Sequence, residues 1–174
     1  MTEINFWILG SIQAIHTPIL NFIMICISTI GNLGLIWIFI GIWMFLKGNK
    51  KTAVFLFSAL VVNLIVCNGI LKPWLDVSRP FEQNPSIQLL INPPKDPSFP
   101  SGHTAAAFCC VTVFYLSKEK FWYVFLILAI LMAFSRLYLY VHYPTDVLGG
   151  VIVGTLSALV VYRCILWKNQ RKRL

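Results

Sequence analysis

Two histidines stand beside groups that give an imidazole work to do. His142 is followed four residues later by Asp146, across Tyr143-Pro144-Thr145. Pro144 suits the first turn of a helix, so ring and carboxylate share one face. A carboxylate bonded to one ring nitrogen fixes the tautomer and leaves the other nitrogen as a nucleophile or base. The plainer use of the same pair is a His cap, with Asp146 favoured by the helix dipole. His103 closes Pro100-Ser101-Gly102-His103, directly before an apolar run. Unpaired amides at a helix start form an anion site. Gly102 lets a ligand approach the backbone, and Ser101 either caps the helix or bonds the anion. His103 would stand beside that anion with a proton to give near neutral pH.

Three cations ask for the same anion. Arg136 lies five residues inside the end of an apolar run, where a buried cation costs at least about 2.5 to 3.5 kcal/mol. It either snorkels to the interface or holds an anion. Lys72 and Arg79 make the same request, or lie at headgroup level as juxtamembrane charges. Pro73 and Pro80 are expected to stop the preceding helix and stiffen this segment. Asp76, Glu82, Lys95 and Asp96, nearby in sequence, read as solvated loop charges.

The elements that must position these groups belong to a membrane. Of 174 residues, 58% are hydrophobic and 11% charged, and the mean hydropathy is +0.77. A chain this small has too little interior to hide so much apolar surface, which excludes a soluble monomer. Five runs are long or apolar enough to be spans: 22–46, 52–71, 101–116, 121–141 and 145–167. Residues 1–18 read as an interfacial helix ended by Pro18. The expected fold is therefore all-α, one membrane-embedded domain over 1–174: a polytopic bundle of about five transmembrane helices plus the N-terminal interfacial helix. The opening Met1-Thr2-Glu3 lacks the basic start of a cleaved signal, so the N-terminus is expected to be retained.

Alternating spans put the turns at 46–52 and 117–120 and the tail 168–174 on one side, with most of the lysines and arginines. That side is cytoplasmic by the positive-inside rule, and the histidine and arginine motifs face out. The net charge of +8 then reads as a basic tail on anionic lipid rather than a nucleic-acid surface. Trp7, Trp43, Trp74, Trp122 and Trp167 fall near span ends, as an aromatic belt would. The five cysteines, Cys26, Cys67, Cys109, Cys110 and Cys164, lie in apolar runs and read as small buried hydrophobes. Gly150, Gly154 and Ala158 form a small-residue stripe read as internal helix packing.

Set in order, the pieces are Lys72-x6-Arg79-Pro80, Pro100-Ser101-Gly102-His103 and Ser135-Arg136-x5-His142-x3-Asp146. This resembles the three-part signature of the type 2 phosphatidic acid phosphatase superfamily, in particular its bacterial undecaprenyl pyrophosphate phosphatase-like members. The resemblance implies an integral membrane lipid phosphatase. One phosphate would be bound by Lys72, Arg79, Ser101, Gly102 and Arg136. His142 would attack phosphorus, Asp146 would orient His142, and His103 would protonate the leaving oxygen. Water would then hydrolyse the phosphohistidine, with no metal ion or other cofactor. The implied partners are a lipid phosphate or pyrophosphate and the surrounding membrane lipids, and the implied place is the plasma membrane with the site outside. Undecaprenyl pyrophosphate leads as substrate. Phosphatidylglycerophosphate, phosphatidic acid and diacylglycerol pyrophosphate follow, as does transfer of the phosphoryl group to an acceptor other than water, and oligomeric state is left open.

Overall fold

The computed structural model describes residues 2–171, with side chains from 3 to 167. Every regular element among them is helical. The helices are α1 (Thr2–Gln13), α2 (Pro18–Ile30), α3 (Leu35–Leu46), α4 (Lys50–Leu64), α5 (Lys72–Leu75), α6 (Pro80–Gln83), α7 (Gly102–Leu116), α8 (Trp122–Tyr138) and α9 (Pro144–Arg171). A short 3-10 turn (Asn32–Gly34) joins α2 to α3, and a π-helical segment (Ile65–Leu71) joins α4 to α5.

Helix α7 is the axis, packed by α9, α8 and α4, while α3 lies on α4 and α2 on α8. Its buried side chains are mostly small, among them Ala105, Ala107, Cys109 and Cys110. Glycines on α9 exploit this. A Cβ on Gly154 would stand 2.1 Å from the Ala105 carbonyl oxygen, and one on Gly150 would stand 2.7 Å from that of Ser101. The small-residue stripe is thus the α7–α9 seam, as expected, and helices approach this closely only where side chains are missing.

Large apolar side chains such as Phe22, Phe39, Trp43, Leu148 and Ile152 point out of the bundle. So do Cys26 and Cys164, which were expected to be buried, while Cys67, Cys109 and Cys110 are. Outward apolar surface on this scale belongs in lipid. Two helical stretches are long and apolar enough to cross a membrane, Lys50–Gln83 and Pro144–Trp167, and α7 and α8 are shorter apolar helices.

The first expected span, 22–46, is broken. Helices α2 and α3 are bent by 48°, because Leu33 (φ 54) and Gly34 (φ 68) take left-handed backbone. Glycine adopts that region freely and leucine at a cost. Two proline expectations also fail. Pro18 opens α2, with the Thr17 hydroxyl accepting from Leu20 N–H, and the N-terminal helix already ends at Gln13. Pro73 does not stop its helix, which runs on to Leu75, because it sits in the first turn of α5 where its missing N–H is not required.

Helix α1 packs on α8 and α9. Leu9 is fully buried, Asn5 donates to the Thr145 hydroxyl (3.3 Å), and Gln13 donates to the Tyr138 carbonyl (3.1 Å). At the opposite end, Glu119 accepts from Asn49 (2.6 Å) and Thr52 (2.9 Å), which joins the two lysine-rich turns. Residues 168–171 of the basic tail fall on α9 with no described side chains, and 172–174 lie outside the described residues.

The α7–α9 seam makes a direct prediction. Gly154→Ala should destabilise the protein by about 1 to 3 kcal/mol, the range for overpacking, because its Cβ meets backbone rather than a mobile side chain. Gly10→Ala, with nothing within 4 Å of its Cβ position, should not destabilise. Thermal unfolding in detergent would compare them.

Candidate active site

The motif residues meet at the end of the bundle away from the Glu119 turns. Tyr140, at φ 58, turns the chain out of α8, and Pro144 starts α9. Between them His142 is 2% exposed. Its Nδ1 lies 3.4 Å from Asp146 Oδ2, which also accepts the Tyr143 N–H at 2.8 Å. Ser98 Oγ donates to the same carboxylate oxygen at 2.5 Å and stands 3.4 Å from His142 Nδ1. The His142–Asp146 pairing is therefore as its spacing predicts. Ser98 is an addition: it is fully buried between the pair, and its proximity to Pro100-Ser101-Gly102-His103 was the available signal.

Burial, followed by the charges of Arg79, Arg136 and Lys72, holds the His142 ring well below its ordinary pKa. With Nδ1 turned to the carboxylate, the neutral ring keeps a lone pair on Nε2. Arg79 stands against that atom, its Nη1 3.4 Å from Nε2 and donating to the Val141 carbonyl at 2.6 Å. Pro80 opens α6 directly after it, and Glu82 accepts the Arg79 N–H at 2.7 Å.

Asp96 is not a free loop charge. Lys72 Nζ donates to its Oδ2, Arg79 Nη2 donates to its Oδ1 at 2.9 Å, and Arg79 Nε donates to its carbonyl at 2.8 Å. Lys72 also donates to the Pro97 carbonyl at 2.7 Å. Burial raises the Asp96 pKa, but the Lys72 hydrogen bond and the charges of Lys72 and Arg79 outweigh it, leaving the carboxyl below its ordinary value of 3.8. Glu82 likewise has a structural partner. The Asp96 bonds join residues 24 and 17 positions apart, which a reading of local charge runs does not reveal, whereas the Glu82 bond is a local helix cap.

Arg136 is buried, with Nη1 donating to Ser28 Oγ, and its Nε has no partner among the described residues. Together with Lys72, Arg79, Gly102 and His103 it lines a chamber of about 1430 Å³ whose far wall is apolar, formed by Leu60, Leu64 and other residues of α3 and α4. Ser101 and His142 are buried and do not line the chamber; His142 lies behind Arg79. Ser101 does not cap α7 with its side chain; its N–H donates to the Asp146 carbonyl (3.0 Å), and its hydroxyl accepts from Thr104 (3.0 Å). His103 Nε2 is 3.0 Å from Asn32 Oδ1 on the α2–α3 break. No group of three or more His, Cys, Asp or Glu residues suited to a metal ion occurs among the described residues.

A buried imidazole–carboxylate pair, a second imidazole and three cations around one chamber is an arrangement for phosphoryl chemistry, and the family model for the PAP2 superfamily matches residues 51–170. The chain belongs to the PAP2 superfamily. Among curated relatives, the undecaprenyl-diphosphatase BcrC of Bacillus subtilis is 28% identical over 168 residues, covering 91% of this chain and 83% of that one. The bacitracin transport permease protein BcrC of Bacillus licheniformis is 39% identical over 84 residues, so the match spans 48% of this chain and 41% of that relative. The crystal structure of Aquifex aeolicus LpxE superposes with a TM-score of 0.82 at 25% identity, covering 92% of this chain and 95% of that one. The resemblance in the motifs thus extends to family and fold, and this PAP2 chain is a membrane phosphatase.

Each chamber cation should matter unequally with any loop cation. Arg136→Ala and Arg79→Ala should each lower phosphatase turnover at least about 100-fold, as loss of one preorganised electrostatic donor does. Lys95→Ala, an exposed loop position, should change it little. Equal losses for Lys95→Ala and Arg136→Ala in a phosphate-release assay would remove Arg136 from the binding shell.

Proposed function

We propose that this protein hydrolyses a lipid diphosphate at the outer leaflet of the plasma membrane, with undecaprenyl diphosphate or a close polyprenyl analogue as substrate, through a phosphohistidine. The observation that carries the reading is the chamber itself. One end offers Lys72, Arg79 and Arg136 beside the buried His142–Asp146 pair, and the other end is apolar.

The terminal phosphate binds among the three cations and the Gly102 amide, with Ser101 behind them. His142 Nε2 forms a bond to phosphorus as the bond to the bridging oxygen breaks. Its Nδ1–H stays on Asp146, which Ser98 holds in place. The leaving oxygen takes its electron pair and a proton from His103, and water then cleaves the P–N bond to release inorganic phosphate. In-line transfer needs charge neutralisation over the equatorial oxygens, and here cationic side chains supply it without a metal ion. A transport role, as the name of one relative has it, leaves the buried His142–Ser98–Asp146 set without a task.

Single-turnover trapping with labelled substrate should give an acid-labile phosphoenzyme in the wild type and none in His142→Ala; equal yields in both would sink the mechanism. In steady state, chelators should leave the rate unchanged and vanadate should inhibit. His103→Ala should lose most on a lipid phosphomonoester, whose alkoxide needs the proton, and less on an aryl phosphate. Release of label as inorganic phosphate separates hydrolysis from transfer to another acceptor.

Orientation follows from the basic turns. In a cysteine-free background, single cysteines at Gln88 and Asn169 should respond oppositely to an impermeant thiol reagent on intact cells, Gln88 being labelled. Equal labelling would reject the five-span topology with an outward site.

A further inference from the structure

The cations occupy one side of the chamber. On the side toward α3 and α4 the polar lining changes to three carboxamides, Asn32, Asn63 and Asn68, followed by apolar residues such as Leu60 and Leu64. We propose that these three amides form a leaving-group subsite that holds the lipid-side phosphate of a diphosphate while the terminal phosphate lies among the cations. The inference rests on the lipid-diphosphate reading above and adds what recognises the second phosphate.

Each amide is placed for this by a departure from regular helix. Asn32 lies in the α2–α3 break, with its Oδ1 3.0 Å from His103 Nε2. Any oxygen that takes the His103 proton therefore lies within reach of the Asn32 NH2 group. Gly31, next to it, leaves no space for a side chain, since a Cβ there would stand 2.9 Å from the His103 ring and 2.6 Å from Met132. Asn68 lies in the π segment, and its carboxamide is 3.7 Å from where a Gly102 Cβ would begin, so it borders the start of α7.

Asn63 is 4% exposed, and its Oδ1 has no partner among the described residues. It is nine residues before Lys72, which in a continuous α-helix at 3.6 residues per turn is about 900° of rotation and the opposite face. Both nevertheless line the chamber. The wider i→i+5 turns of the π segment between them supply the missing rotation, as π-bulges do at functional sites.

The kinds of group in the lining match the parts of a diphosphate lipid: three cations for the terminal phosphate, amides for the second, an apolar wall for the chain. Neutral donors suit the middle position. They stabilise negative charge on the bridging oxygen as the P–O bond breaks, yet hold the product lipid monophosphate less firmly than a lysine would.

The test compares farnesyl diphosphate with farnesyl monophosphate, so that the chain contacts cancel. The ratio of kcat/KM values, diphosphate over monophosphate, should fall about tenfold in Asn68→Ala and in Asn32→Ala, the effect of losing one hydrogen bond to a charged group. A ratio within about twofold of wild type in Asn68→Ala would overturn the subsite. Asn68→Lys should tighten product inhibition by farnesyl monophosphate about tenfold, and an unchanged inhibition constant counts against it equally. Wild-type protein that prefers the monophosphate would overturn the lipid-diphosphate reading, and the subsite with it, before any variant is made.

Discussion

Three cations buried in apolar surroundings cannot stand without negative charge, and the site is organised around that constraint. Lys72, Arg79 and Arg136 are each 4% exposed or less. Lys72 and Arg79 share one carboxylate, Asp96, and among the described residues Arg136 has only a hydroxyl partner, Ser28. Removing a partner from a buried charge costs more than forming the pair returns, so such a cluster persists only where the remaining polar contacts are dense. Backbone carbonyls of Asp96, Pro97 and Val141 supply them. The irregular segment between α6 and α7, which carries two of these carbonyls, thereby holds the cations in place rather than merely tethering two helices.

The cluster requires a rigid frame, and the α7–α9 seam provides it. Gly150 lies against the Ser101 carbonyl, and the Ser101 N–H donates to the Asp146 carbonyl. The start of α7 and the start of α9 are therefore fixed to each other through backbone. Because His142 and Asp146 lie at one of these starts and Gly102 and His103 at the other, the proposed nucleophile and acid inherit their spacing from a glycine one turn past Asp146. Side-chain packing alone would hold it less tightly, since rotamers adjust and main chain does not.

That the motif residues would converge on one candidate site was legible because they advertise themselves against an apolar background. An arginine inside a span, a histidine four before an aspartate, and Pro-Ser-Gly-His before a helix are each conspicuous in a chain with 11% charged residues. What was not legible came from contacts between distant segments. Asp96 reads as solvated until Lys72 and Arg79 are seen to converge on it. Ser98, one loop hydroxyl among several, gains its place only when the fold sets it between Asp146 and His142. In the fold, hydropathy located the apolar runs but was blind to backbone conformation inside them. The run 22–46 is uniformly uncharged, and only the left-handed backbone at Leu33 and Gly34 divides it. The π segment before Lys72 is equally invisible to composition.

Exposure decides which partner yields when a phosphate enters. The Lys72 and Arg79 side chains are 4% and 2% exposed, whereas that of Asp96 is 51% exposed. Arg79 is additionally held by the carbonyls of Asp96, Pro97 and Val141, so the carboxylate is the member placed to yield. A dianionic phosphate brings more charge than one carboxylate and reaches Arg136 as well, whose Nε lacks a partner among the described residues. Binding through exchange of anions avoids desolvating bare cations at the moment of entry, which is the costly step for buried charge.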